Sequence, residues 1–129
     1  MDVRQTDDAA THSRGHGQIS HLLLGPGDFG SRNLAVTWVE CAPGSQQDLH
    51  AHPAEEQVYV IVEGRGTMTV GEEAQEVERG TLVFIPPQTN HAIRAAGDEP
   101  LIYVSATAPP FEAKVAEGRW VPVDQRSPE

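Results

Sequence analysis

One cysteine, Cys41, stands alone in the 129-residue chain, so no internal disulfide braces it. A lone thiol reads as a small buried hydrophobe, since free cysteine is among the most buried residue types. Basic side chains are scarce too: nine Lys and Arg face nineteen Asp and Glu, for a net charge of −10. That balance repels a phosphate backbone and speaks against nucleic-acid binding. The acidity is expected to serve solubility rather than recognition. Long apolar runs are missing as well. Leu22-Leu23-Leu24 is far shorter than the roughly 20 residues that span a bilayer, and the polar opening lacks the apolar segment of a secretory signal. The expected location is therefore the cytoplasm, with no membrane partner. No segment sustains a helical period, there is no internal repeat, and the length suits one domain.

Turn formers are plentiful, with twelve Gly and ten Pro punctuating the chain. Between them lie short runs of β-forming residues: Ile19–Leu24, Leu34–Glu40, Gln57–Val62, Gly66–Val70, Thr81–Ile85, His91–Ala95 and Leu101–Thr107. Short strands at regular spacing, with explicit turns at Gly25-Pro26-Gly27, Pro43-Gly44, Glu63-Gly64 and Pro86-Pro87, predict an all-β sandwich or barrel. Residues 1–18 are polar and show no strand pattern, which marks an N-terminal arm, disordered or ordered on a neighbouring subunit. Residues 19–107 form the barrel and 108–129 a C-terminal arm, within which 111–117 are either a short helix or extended. Glu72-Glu73 reads as a solvated hairpin tip.

His50 and His52 lie two apart on an extended segment, so both imidazoles point to one face. After Pro53 a second strand begins and brings a further side chain. Gly80 and Pro86 bracket a buried strand, and His91 opens the next one just past a turn. Three histidines placed this way suit a divalent cation, with neutral imidazole nitrogens as ligands. His12, His16 and His21 lack such company and read as ordinary polar residues.

This pattern resembles the cupin superfamily. Gly44-x5-His50-x-His52 matches the first half of its paired motif, and Gly80-x5-Pro86 with His91 matches the second. Gln88 and Ala95 depart from it, standing where the family has Gly and Asn. The likeness covers roughly residues 19–107 and implies a double-stranded β-helix, the jelly-roll or cupin barrel, carrying extended N- and C-terminal arms. Counting back six residues from Gly64 lands on Gln57 as the fourth metal ligand. Glu56 is the alternative, because a carboxylate is the commoner hard ligand. Choosing Gln57 places Gln57, Tyr59 and Ile61 on one face and Val58, Val60 and Val62 on the other. The cofactor implied is one divalent metal, zinc first, with iron, nickel, manganese or copper as alternatives.

Three imidazoles and an amide add no negative charge, so the ion would keep its Lewis acidity and polarise a carbonyl or a bound water. Gln46, Asp48 and Tyr59 are expected in register with the ligands and lining the cavity. Asp48 is a candidate to orient His50 or act as a base, and Tyr59 to donate to a developing oxyanion. Trp38, Phe84 and Met68 are expected in the core or cavity wall. The leading expectation is a non-redox enzyme of cyclase, isomerase or lyase type acting on a small molecule, similar to cupin-type bacterial polyketide cyclases. A quercetinase-like dioxygenase is the first alternative, and a non-enzymatic binding cupin the second. Small cupins commonly pair, which implies a homodimer.

Overall fold

In the computed structural model, which describes residues 1–13 and 15–110, the breaker-punctuated runs all become strands. The order is β1 (Ala10–Ser13), β2 (Gln18–Leu24), β3 (Ala35–Cys41), β4 (Glu56–Glu63), β5 (Arg65–Val70), β6 (Glu73–Glu78), β7 (Leu82–Ile85), β8 (His91–Ala96) and β9 (Leu101–Ala108). They build a six-stranded sheet, β1-β2-β3-β9-β4-β7, and a three-stranded sheet, β6-β5-β8. Every pairing is antiparallel. The architecture is all-β, as the spacing of strands and turns predicts, and takes the double-stranded β-helix form that the family resemblance implies.

Strand alternation sorts the side chains. On β4, Gln57, Tyr59 and Ile61 are buried, while Val58, Val60 and Val62 lie on the outer face. On β9 the buried set is Leu101, Tyr103, Ser105 and Thr107. Register then stacks these sets: Tyr103 opposes Val39 and Ile61, Ser105 opposes Thr37 and Tyr59, and Thr107 opposes Ala35 and Gln57. Reading up these rows, the interior changes from aliphatic to polar. Ile61, Val39, Leu101, Ile93 and Cys41 fill one end together with Met68 and Val77. Gln57, Ser105, Thr107 and Thr37 stand towards the other. The aliphatic end supplies the transfer free energy of folding, about 1.5–3 kcal/mol for each large side chain. The polar end is where chemistry can be housed.

Several expectations need correction. Residues 10–13, read as part of an arm without strand pattern, form β1 and pair in cis with β2, Thr11 opposite His21 and His12 opposite Ser20. The segment before β1 is held by Arg4, whose guanidinium donates to Asp28 at 2.7 Å and to the Leu23 carbonyl at 2.9 Å and lies over the Phe29 ring. The turn of the acidic hairpin lies at Gly71-Glu72, and Glu73 already opens β6, which pairs with β5 along its whole length. Polar sequence hid both strands. Met68 is buried as expected, but Phe84 is 51% exposed, and Trp38 lies on the outer face with its indole N–H on Glu40. Both have the outward parity of their strands. The helix-or-arm segment 111–117 and most of the C-terminal arm lie outside the described residues.

Gly64 shows why the β4–β5 turn demands glycine. Its φ of 82° is left-handed, and an added Cβ would run into the carbonyl oxygen of Pro100. Gly44 has a similar φ of 78° but open space around it. Gly64→Ala is therefore expected to lower unfolding free energy by about 2 kcal/mol or more, and Gly44→Ala by about 1 kcal/mol. Urea-unfolding midpoints of the two variants check this; equal losses would contradict the clash.

Candidate metal centre

The segment that follows β3 runs along the free edge of β8. Gln46 bridges Arg94 and His50 bridges His91. His50 and His91 exchange two backbone hydrogen bonds, N–H to O at 3.1 Å and 2.8 Å. These make them a directly opposed antiparallel pair, the arrangement that holds two side chains side by side. Their ring centroids are 4.2 Å apart, and those of His52 lie 5.1 Å from His50 and 5.4 Å from His91. One ligating nitrogen from each of the three histidines lies within 4.8 Å of the others, a spacing a metal ion can bridge.

Two of the rings are set by the main chain. His50 Nδ1 lies 2.8 Å from the Asp48 carbonyl and His91 Nδ1 lies 3.0 Å from the Thr89 carbonyl. A carbonyl only accepts, so each Nδ1 carries the proton and each Nε2 keeps its lone pair for a ligand. His91 is fully buried, and its Nε2 has no hydrogen-bond partner. Burial pushes its pKa below the usual histidine value, and the hydrogen bond to Thr89 offsets this only partly. The imidazole is therefore held neutral, as a metal ligand must be.

Gln57 is buried on the inward face of β4 while Glu56 is exposed at the strand's start, so the acidic alternative faces solvent. The Gln57 amide donates from Nε2 to Ser105 Oγ at 2.9 Å. Its carbonyl oxygen Oε1 is buried without a partner. A buried acceptor left unmatched costs about 1–3 kcal/mol. An oxygen and an imidazole nitrogen orphaned in one interior fit a divalent cation. His50, His52, His91 and Gln57 would hold it, and all four donors are neutral.

Asp48 and Gln46 do not line this interior. Four residues lead from Gln46 to His50, whereas three lead from His91 to Arg94 along the partner strand. One extra residue in such a ladder is a β-bulge and reverses the facing of what precedes it. Asp48 and Gln46 are exposed, and Gln47 is buried instead. Asp48 does touch His50, but through its carbonyl rather than its carboxylate. Gln47 donates from Nε2 to the hydroxyls of Tyr59 and Tyr103 at 3.2 and 3.4 Å, and the Tyr59 hydroxyl lies 3.3 Å from Gln47 Oε1. Tyr59 stacks on Tyr103 at 4.4 Å and meets the His91 ring edge-on at 5.9 Å. Tyr59 is therefore beside the histidines, as predicted, while Gln47, Tyr103 and Ser105 were not anticipated. Strand alternation from Leu101 marks Tyr103 and Ser105 as a face, but only the β4–β9 register shows which face.

Gln88 occupies a left-handed conformation, φ 61°, and its N–H donates to the His52 carbonyl at 2.7 Å. The conformation is one that glycine adopts freely, which explains why this loop keeps its path without one. Ala95 is buried in the aliphatic end, among Met68, Ile93 and Leu101, where an amide would need partners. His12, His16 and His21 stand outside the histidine group; His21 lies near the Thr6 carbonyl and Glu40.

Fold and site together define a β-barrel of the jelly-roll kind whose three clustered histidines could hold a metal ion. The chain belongs to the cupin family: the Cupin_2 family model, a cupin domain, matches residues 37–107. It is similar to the uncharacterised protein MJ1618 of Methanocaldococcus jannaschii, with 35% identity over 101 residues, 78% of this chain and 81% of that protein. It is similar to the oxalate decarboxylase OxdC of Bacillus subtilis at 25% identity, covering 70% of this chain but only 25% of that enzyme. Among solved structures, KdgF from Halomonas superposes with a TM-score of 0.76 at 14% identity, covering 88% of this chain and 97% of that one.

Two outcomes follow. Added zinc should raise the melting temperature, EDTA should reverse the rise, and His50→Ala or His91→Ala should abolish it, all read by thermal denaturation. The metal-free protein should also lose stability with acid. His91 is protonated more readily in the unfolded chain, whose histidine value is about 6.5, than in the fold. Stability is thus fully present above about pH 6.5 and declines as pH falls below it. His91→Gln should flatten that decline in urea titrations.

Proposed function

We propose that this cupin is a metal-dependent, non-redox enzyme that activates a carbonyl of a small molecule, in the cyclase, isomerase or lyase class. The observation that carries this reading is the neutral donor set, His50, His52, His91 and Gln57, two of whose buried acceptor atoms have no partner. A cation held by uncharged ligands keeps its full charge and supplies Lewis acidity to a bound carbonyl oxygen. The Tyr59 hydroxyl, held by Gln47 and by its stack on Tyr103, would turn from the Gln47 carbonyl to donate to the substrate oxygen as negative charge develops. When a proton leaves the carbon beside a carbonyl, the electron pair moves to that oxygen, and the proton passes to water at the half-buried edge formed by His50 and His52. Aldol closure of a polyketide and isomerisation begin from such an enolate, and carbon–carbon cleavage beside a carbonyl delivers the electron pair of the broken bond to the same oxygen and so generates one. The similarity to an oxalate decarboxylase supports the lyase branch.

Deuterium exchange at the central carbon of a 2-alkyl-1,3-diketone, followed by NMR without oxygen, tests the reading. Exchange should require zinc and vanish in His50→Ala, and Tyr59→Phe should slow it about 10–100-fold. Oxygen consumption with the diketone in place of exchange would assign the site to a dioxygenase.

We also propose a homodimer, formed through the outer face of the six-stranded sheet. Register sets Val58 beside Phe84 and Ala106, and Val60 beside Leu82 and Val104, which adjoins Trp38. These central rows are uncharged in a chain of net charge −10. Two copies can therefore meet here without acid facing acid. Six strands about 4.8 Å apart and roughly seven residues long cover on the order of 500–600 Å², comparable to the roughly 800 Å² per partner of stable complexes. Light scattering on a sizing column should give twice the chain mass, and Val60→Glu should halve it with unchanged circular dichroism. A monomeric native protein would refute the dimer.

A further inference from the structure

A cavity of about 520 Å³ opens between β6 and β7. These strands are the last members of their sheets, β6 pairing only with β5 and β7 only with β4, so no ladder closes the gap. Met68 and Val70 of β5, Val77 of β6 and Val83 of β7 wall it, and Glu73 and Gln75 stand at its exposed rim. Two of these walls adjoin the metal centre by register. Val70 is the cross-strand partner of His91, and Val83 is the partner of Tyr59. Each pair shares the inward face of its sheet, so one wall of the cavity flanks His91 and another flanks Tyr59, whose ring meets His91.

We propose that this cleft receives the carbon skeleton of the substrate whose oxygen-bearing head lies at His50, His52 and His91. The proposal rests on the metal-centre reading above. The ligand class is an uncharged aromatic or alicyclic molecule of moderate size, since pockets of roughly 300–1,000 Å³ hold such ligands. Charge decides against other classes. Among the described buried residues there is no Asp, Glu, Lys or Arg. A phosphate or carboxylate on the ligand would find no cation among the residues lining the cleft, and an ammonium would find only Glu73 at the exposed rim, so a charge held along the apolar walls would be costly. Glu73 at the rim further repels an anionic tail. The aliphatic walls offer dispersion and burial, and Gln75 offers one amide to a hydroxyl or carbonyl at the mouth.

The neutral fluorophore 1-aminoanthracene, with Mn²⁺ as the metal, tests this in the full chain. Fluorescence titration should show binding with and without Mn²⁺. Gln75→Trp, which fills the cleft from an exposed position, should weaken it at least 10-fold while leaving Mn²⁺ affinity unchanged, and Glu73→Trp should do the same. Bound Mn²⁺ should broaden the proton resonances of the fluorophore, and His91→Ala should remove that broadening. Absence of fluorophore binding, affinity in both tryptophan variants unchanged from the native chain, or no broadening while Mn²⁺ is bound would overturn the proposal. Failure of Mn²⁺ to bind the native chain would instead overturn the metal-centre reading, and the tryptophan variants would then decide the cleft by themselves.

Discussion

The pair of backbone hydrogen bonds between His50 and His91 anchors the site. They tie an irregular segment, which has no strand of its own, to the edge of the smaller sheet. Two imidazoles from distant parts of the chain thereby come within 4.2 Å, centroid to centroid. The anchoring also fixes the bulge between Gln46 and His50, and the bulge sends Gln47 inward onto Tyr59 and Tyr103. The Gln88 N–H bonded to the His52 carbonyl secures the same segment from its other end. Main-chain bonds therefore position the donors before any ion arrives, and an ion need not order the loop that binds it.

The interior is built as a gradient. Its aliphatic end stabilises the barrel, whereas its polar end carries unmatched acceptors on Gln57 and His91. Such acceptors disfavour the metal-free fold, and folding tolerates them because the aliphatic end supplies a surplus. Burial acts in the same direction on His91, keeping it unprotonated and available as a donor. A metal held there would couple its affinity to stability through the same two side chains.

Much of this was legible from sequence. The spacing of His50 and His52, the position of His91 after Pro86 and the register of Gln57 with Tyr59 and Ile61 all appear in the fold. They were readable because alternation within a strand is a local property, set by backbone geometry. The misses share a cause. Asp48 and Gln46 were assigned to the cavity by extending a period of two through a segment that carries a bulge. Phe84 was expected in the core or cavity wall; its outward parity on β7 keeps it out of the core, and it borders the cleft between β6 and β7 instead. β1 and β6 are polar, and they exist because β2 and β5 offer them backbone partners.

The sequence by itself determined seven of the nine strands among the described residues, the three histidines and the face on which Gln57 lies. Each depends on contacts between near neighbours in the chain, which composition and periodicity record. Only the tertiary structure decided that Ser105 orients the Gln57 amide, that Gln47 rather than Asp48 faces inward, and that the strand partners of His91 and Tyr59 wall a cleft between β6 and β7. These depend on inter-strand register and on a single inserted residue. Neither leaves a periodic trace, because each is set by pairing between segments far apart along the chain.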